Sequence, residues 1–475
     1  MIDTLNPGVS GSKASARFAG VISNSTFQYL ALASITLLAL ALRLVKLGSW
    51  SLWIDEALEI NYAQEALRNF FAAPRLSLLA IGAVFRLFPI TEWSARLAPT
   101  LVGAITIPVL YFPIKKLFGA GVALLAVFLL TISPTHLFWS QNARFYTFLL
   151  IFYALAQFAF FFWLETDRFW LLIVTGLFFG LAALERMVAG FLAPVVVLYF
   201  VALLALPFGK PAGFRWRNII ILVGVGVAGL LFVIFKMGVL TDFSIYILGH
   251  EQNPFRVFLS VVYDVGVPLF LFALIGGAYL IFQKSRIGLY LLIGAVAPVV
   301  LLVLIAPFTQ AFSRYVFITL PNWVILGAVA AKEIFAQAQK NARILAVGVL
   351  LILVVDAFSQ DMLYYGFQNG NRQDFKGAFG LVQQEKMPDD LVISTSPQVG
   401  DFYLGQGVAD SQKLDLNSLT QSGRRAWFVI DNRVFVSPEL QKFLDQKTQL
   451  MGVYDVYMPG KNMTMRDYLY SPSAH

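Results

Sequence analysis

Eleven apolar runs punctuate the first 358 residues of this chain, and most approach the roughly 20 residues a helix needs to cross a bilayer. They lie at Phe27–Leu47, Trp93–Ile114, Ala120–Phe138, Phe145–Leu164, Trp170–Leu184, Val188–Leu206, Ile219–Leu240, Val265–Phe282, Ile287–Ala306, Tyr315–Ala331 and Ile344–Phe358. In lipid every backbone polar group must be satisfied within the segment, so runs of this kind fold as helices. The expected fold class is therefore an α-helical polytopic membrane protein of about 11 transmembrane helices. Composition agrees: 13% of residues are charged, against about a quarter in soluble globular chains, and the mean hydropathy is +0.72.

Several chemistries are excluded at once. The chain has no cysteine, which removes disulfides, thiolate zinc sites and a cysteine nucleophile. Its three histidines, His136, His250 and His475, are too few and too scattered for a histidine-built metal site. The net charge of +8 does not point to nucleic acid, because the basic residues sit singly between apolar runs, where they act as orientation signals and site residues.

Polar character divides the chain into three units: a cytoplasmic tail over 1–26, a membrane unit over 27–358 and an extracytoplasmic domain over 359–475. The first run passes into Arg43, Lys46 and Trp50 with no small-residue cleavage site, so it reads as an uncleaved anchor. With the N-terminus cytoplasmic, the inner loops carry Lys115, Lys116, Arg168, Lys210, Arg215, Arg217, Lys284, Arg286, Lys332, Lys340 and Arg343. This satisfies the positive-inside rule, although the outer loops also hold Arg75, Arg96, Arg144, Arg186, Arg256 and Arg314. The plasma (inner) membrane is the expected location.

Two segments stand outside the spans. In the first outer loop, Gly48–Glu92, Leu52–Phe71 and Leu76–Phe88 have the pattern of amphipathic helices lying in the interface. The last unit becomes richer in charge. Strands are expected at Leu391–Ser394, Ala426–Ile430 and Leu450–Tyr457, and helices at Gln373–Gln384 and Pro438–Gln446, which together make a small C-terminal α/β domain.

Polar chemistry gathers on the outer side. Ser51-Leu52-Trp53-Ile54-Asp55-Glu56-Ala57 places two adjacent carboxylates behind an interfacial tryptophan. They suit the first turn of a solvated helix; they equally suit a carboxylate base, since a hydroxyl acceptor is a poor nucleophile until its proton is taken. Ser133 to Tyr146 joins two spans on the same face and ends in Arg144. An arginine at that depth either snorkels to headgroups or meets a ligand phosphate. Arg314-Tyr315 admits the same two readings, and Arg96 is a weaker copy. His136, Tyr146 and Tyr315 are candidates for lining the site or touching the acceptor. Glu185-Arg186 reads as a local ion pair at an outer turn, and Asp242, Glu251, Arg256 and Asp264 fall in an outer loop, Thr241–Tyr263, suited to holding an acceptor.

Taken in order, Trp53-x-Asp55-Glu56-Ala57, Arg96-Leu97-x-Pro99, Ser133-Pro134, Ser140-Gln141-x-Ala143-Arg144-x-Tyr146 and Arg314-Tyr315 resemble the bacterial C-type glycosyltransferases. That group is related to protein O-mannosyltransferases and to lipid A aminoarabinose and galacturonosyl transferases. The likeness covers roughly Leu42 to Pro321, and Arg372-x-Asp374-Phe375-Lys376-Gly377 resembles the start of the tail found in some members. The resemblance implies a catalytic base at Asp55, with Glu56 beside it, and a carrier phosphate held by Arg144, Arg314, Arg75 and Arg96. Where relatives have His-Pro-Pro or Lys-Pro-Pro, this chain has Ala73-Pro74-Arg75, so Arg75 stands in for that cation. Thr147 and Phe148 occupy positions where some relatives carry a second acid, so the likeness extends neither to a second catalytic carboxylate nor to a metal.

The resulting expectation is an inverting transferase that needs no cofactor. Its partners are the bilayer, a polyprenyl-phosphate sugar and a hydroxyl-bearing lipid, glycan or protein acceptor. A non-enzymatic lipid or polysaccharide transporter would need charge within the spans, which are almost uncharged here. A glycan polymerase or ligase would share this topology.

Overall fold

A computed structural model of the chain describes residues 24–69, 74–236, 252–338, 343–405, 407–458 and 461–472. Asp242, Glu251, Lys340 and nearly all of the N-terminal tail lie outside the described residues. Among the described residues, each of the eleven apolar runs is largely helical. Among the described residues six helices are long and apolar enough to cross a membrane, or up to eight if two bent pairs each form one span.

The membrane part begins with α1 (Ser25–Leu44), followed by two helices of the first loop, α2 (Ile54–Ala66) and α3 (Leu76–Leu87). Then come α4 (Glu92–Phe118), α5 (Ala120–Thr131), α6 (Pro134–Ser140), α7 (Tyr146–Thr166), α8 (Phe169–Glu185) and α9 (Leu192–Ala205). The set closes with α10 (Trp216–Lys236), α11 (Pro254–Val265), α12 (Val267–Phe282), α13 (Arg286–Ile305), α14 (Leu320–Gln337) and α15 (Arg343–Gly366). Helices α7 and α14 are buried along most of their length and form the centre of the bundle. Others, such as α8 and α9, leave Phe169, Trp170, Ile173, Leu177, Val197 and Leu204 exposed, as contact with lipid requires. Close backbone approach sets the packing of α12 on α14: a Cβ on Gly276 would stand 2.0 Å from the Leu326 carbonyl oxygen.

Two breaks differ from the sequence reading. Ala120–Phe138 reads as one span, yet α5 and α6 meet at 60°, with Pro134 opening α6 and the Ser133 hydroxyl capping it. The second break lies where the outer loop Thr241–Tyr263 is expected to end: its described part is the helix α11, which meets α12 at 90° across Gly266, whose φ of 90° favours a residue without a Cβ. Averaged hydropathy does not register a turn that keeps its apolar character. The last apolar helix also runs past Phe358 to Gly366.

Charge marks the two ends of α7. At one end stand Arg144 and Tyr146; at the other, Glu165 pairs with Arg286 at 2.6 Å and Asp167 with Arg215 at 3.0 Å. The 21 residues between rise about 30 Å, the depth of a hydrocarbon core.

The C-terminal part comprises α16 (Phe375–Glu385), β1 (Leu391–Ser394), α17 (Pro397–Leu404), β2 (Ala409–Asp410), α18 (Leu416–Ser422), β3 (Ala426–Asp431), α19 (Pro438–Lys447), β4 (Gln449–Met458) and β5 (Lys461–Tyr470). The sheet order is β2-β1-β3-β5-β4. Strand β1 is parallel to β2 and β3, and β5 is antiparallel to β3 and β4. Strand β3 is buried on both faces: Trp427 and Val429 meet Phe375 and Phe379, while Phe428 and Ile430 meet Leu440 and Leu444. Ile54 and Ala57 of the first loop join the first of these clusters, so the sheet domain is seated on α2.

Candidate active site

Helix α2 decides which carboxylate does what. Trp53 is extended, with φ −112° and ψ 170°, and the helix starts immediately after it. Residues four apart on a helix share a face, while adjacent residues point about 100° apart. Asp55 and Glu59 therefore share one face, and Glu56 and Ile60 share another.

The Asp55 face meets arginines from separate turns. Arg144 Nη2 lies 3.5 Å from Asp55 Oδ2, and Arg314 Nη1 lies 3.7 Å from the same oxygen. Arg144 also donates to the Asp55 backbone carbonyl at 3.2 Å and reaches Glu59 Oε2 at 3.8 Å. Arg75 forks onto Glu59 with contacts of 2.9 and 3.3 Å. Asp55 keeps 28% of its side-chain surface exposed and Arg314 27%, whereas Glu59 keeps 2%. The group is thus open at Asp55 and sealed at Glu59. Trp53 Nε1 donates to Asn142 Oδ1 at 2.9 Å, which ties this turn to the one carrying Arg144. Tyr146 packs on Trp139, and Arg314 lies over the rings of Phe312 and Tyr315.

The Glu56 face turns inward. Its carboxylate takes Arg96 Nε and Nη2 at 2.8 Å each, Arg372 Nε at 3.2 Å and the Ala143 backbone N–H at 2.8 Å. Arg96 donates its remaining hydrogens to the carbonyls of Leu47, Trp50 and Ser51, which occupies all five N–H groups of a guanidinium. Glu56 and Arg96 are both fully buried. Burial alone would raise the Glu56 carboxyl, but Arg96 and Arg372, together with the hydrogen bonds they and Ala143 supply, hold it at about 2.

Of the residues expected to form a site, the structure brings together Asp55, Arg75, Arg144, Arg314, Tyr146 and Tyr315. Glu56 and Arg96 stand apart from that group, paired with each other. His136 is fully buried, stacked on Phe317 and bonded to Arg43 of α1. Sequence reasoning passed over Glu59, although its i+4 spacing from Asp55 was a usable signal. It also read Glu185-Arg186 as a local pair. In the structure both Glu185 oxygens accept from Ser77, at 2.9 Å from its N–H and 2.5 Å from its hydroxyl. Among the described residues no group of three or more histidines and carboxylates could hold a metal ion.

The overall course of the chain matches structures already solved. ArnT from Cupriavidus metallidurans in the apo state superposes with a TM-score of 0.62 at 17% identity, covering 97% of this chain and 99% of that one. This chain has the fold of the C-type membrane glycosyltransferases. The same ArnT bound to undecaprenyl phosphate gives a TM-score of 0.58 at 15% identity, over 93% and 98% of the two chains. The Archaeoglobus fulgidus oligosaccharyltransferase in its apo form gives 0.60 at 12%, over 86% and 70%. The profile of the dolichyl-phosphate-mannose-protein mannosyltransferase family matches residues 73–237. No curated protein matches in sequence.

Proposed function

We propose that this multi-pass membrane protein is an inverting glycosyltransferase that moves a sugar from a polyprenyl-phosphate carrier to a hydroxyl acceptor. One observation carries the reading: a part-exposed carboxylate stands among guanidiniums from separate turns at one end of an apolar helical bundle. ArnT has been solved with undecaprenyl phosphate, and the archaeal enzyme AglB with a dolichol-phosphate, which supports a lipid-phosphate donor here.

Asp55 accepts the proton of the acceptor hydroxyl as its oxygen attacks the anomeric carbon. The bond from that carbon to the phosphate oxygen breaks, and the electron pair leaves with polyprenyl phosphate. Arg144 and Arg314 offset the charge that develops there, and Arg75 supports them from Glu59. The long contacts to Asp55 suit this role: at 3.5 and 3.7 Å the guanidiniums are near but not locked, free to turn to an arriving phosphate. The site faces the extracytoplasmic side of the plasma membrane, with the N-terminus cytoplasmic and the sheet domain outside.

The test uses purified protein in nanodiscs supplied with labelled polyprenyl-phosphate sugars or labelled nucleotide sugars. Transfer from the lipid donor is expected. Transfer from a nucleotide sugar with no lipid carrier present would overturn the proposal.

A further inference from the structure

Phe145, the residue before α7, has three guanidiniums around its ring. Arg144 lies 5.1 Å from the ring centroid, Arg186 5.6 Å and Arg75 6.0 Å. They come from three different turns: the one before α3, the one before α7, and the one that follows α8. The short helical turn at Met187–Phe191, immediately after Arg186, packs on the turn that carries Arg314. Four arginine-bearing turns thus converge on one spot.

Three like charges so close raise each other's energy unless anions intervene. Arg75 and Arg144 have theirs in Glu59 and Asp55, and Arg314 has Asp55. Arg186 differs. Its sequence neighbour Glu185 is committed to Ser77, and among the described residues no carboxylate forms an ion pair with it. It is also exposed, whereas Arg75 and Arg144 are mostly covered. The cluster therefore has one guanidinium that pairs with no carboxylate among the described residues, at its open edge, facing the same ring as two cations of the proposed site.

We propose that Arg186 is a further phosphate-binding residue, an outer contact that captures the phosphate of the lipid donor. The assignment rests on the function proposed above and extends its donor site beyond the residues read from the sequence. A phosphate fits because its non-bridging oxygens can bridge Arg186 to the neighbouring Arg144 and Arg75, and a guanidinium presents paired donors to it.

A phospholipid headgroup offers the same phosphate chemistry, so the experiment separates the two sources. Full-length protein in phosphatidylcholine nanodiscs is titrated with undecaprenyl phosphate, with and without phosphatidylglycerol as competitor. Arg186→Gln is expected to weaken binding roughly ten- to a hundredfold, the range of a lost charged hydrogen bond. Arg186→Lys should fall between Gln and wild type, because it keeps the charge but not the fork. Arg168→Gln, at the opposite end of the bundle, should bind as wild type does, and phosphatidylglycerol should not compete. Equal binding by wild type and a folded Arg186→Gln would overturn the assignment. So would phosphatidylglycerol displacing undecaprenyl phosphate from wild type but not from Arg186→Gln, which would make Arg186 a headgroup contact. Wild type that fails to bind undecaprenyl phosphate would instead overturn the functional proposal.

Discussion

Asp55 and Glu56 are neighbours of similar chemistry, and each meets two arginines, yet they belong to opposite kinds of environment. Around Asp55 the contacts run from 3.5 to 3.7 Å and surface remains open. Around Glu56 the guanidinium contacts run from 2.8 to 3.2 Å and the carboxylate is sealed. An ion pair with every donor and acceptor occupied is expensive to break and inert to a substrate. A loosely held pair at a surface contributes little to stability and can exchange partners. One helix face is therefore available for chemistry, while the next ties the first loop, α4 and the C-terminal domain together.

The largest effect should come from the open face. Asp55→Asn keeps the shape and removes the base, so turnover is expected to fall by roughly two to four orders of magnitude, measured with a polyprenyl-phosphate sugar while donor binding persists. Near-normal turnover in Asp55→Asn, alongside complete loss in a folded Glu56→Gln, would reverse the comparison.

Next comes the sealed face. Removing one partner of a buried, bonded pair costs about 3–5 kcal/mol, so Arg372→Ala should lower the unfolding temperature sharply and loosen the first loop to proteolysis. Because the folded-state value of Glu56 lies below its ordinary 4.5, its contribution is complete above that pH. It declines as pH falls toward about 2. Acid titration of unfolding in wild type and Glu56→Gln would show this as curves that converge at low pH.

Arg144→Lys keeps the charge and loses the fork, so donor binding is expected to weaken about tenfold, with stability nearly unchanged. The same change at Arg43, buried and bonded to Ser140 and His136, should leave the donor affinity of the folded protein alone.

A smaller effect belongs to the sheet domain. Burial, partly offset by the Tyr454 hydroxyl and reinforced by Asp374, raises the Asp467 carboxyl to about 8. Its raised value favours folding most at low pH, and that contribution is lost as pH rises from about 4, the unfolded value, through about 8. Asp467→Asn should therefore gain on wild type across that window, seen as a gap between their denaturant melts that opens as pH rises from about 4 to about 8. Smallest is Lys376→Ala: its pair with Glu92 at 2.9 Å leaves the lysine 46% exposed, so about 0.5 kcal/mol or less is expected.

The helices and the Asp55–Arg144–Arg314 group were legible in the sequence because each has a local signature: a long apolar run, or a charge where one is costly. The division between Asp55 and Glu56 was not, since it depends on Arg372, which lies 316 residues away from Glu56. Strand β5 was missed because Lys461, Asn462, Arg466 and Asp467 dilute its apolar alternation; pairing with β3 and β4 supplies what its composition lacks. Arg186 was misread for a related reason. Adjacency suggested a pair with Glu185, but the N-terminus of α3 draws that carboxylate away.

The Arg372 contact also sets an order of events in the life of the chain. Glu56 and Arg96 leave the ribosome early, whereas Arg372 follows Glu56 by 316 residues. At about 5–20 residues per second that interval is roughly 15–60 s. Throughout it the loop bearing Asp55 must rest on the bundle alone, with one lone pair of its buried carboxylate still waiting. The loop gains its second fastening only when the segment carrying Arg372 has been made and has folded onto it. A chain made only as far as Arg314 would therefore hold its arginines around a loop whose second fastening, Arg372, has yet to be made.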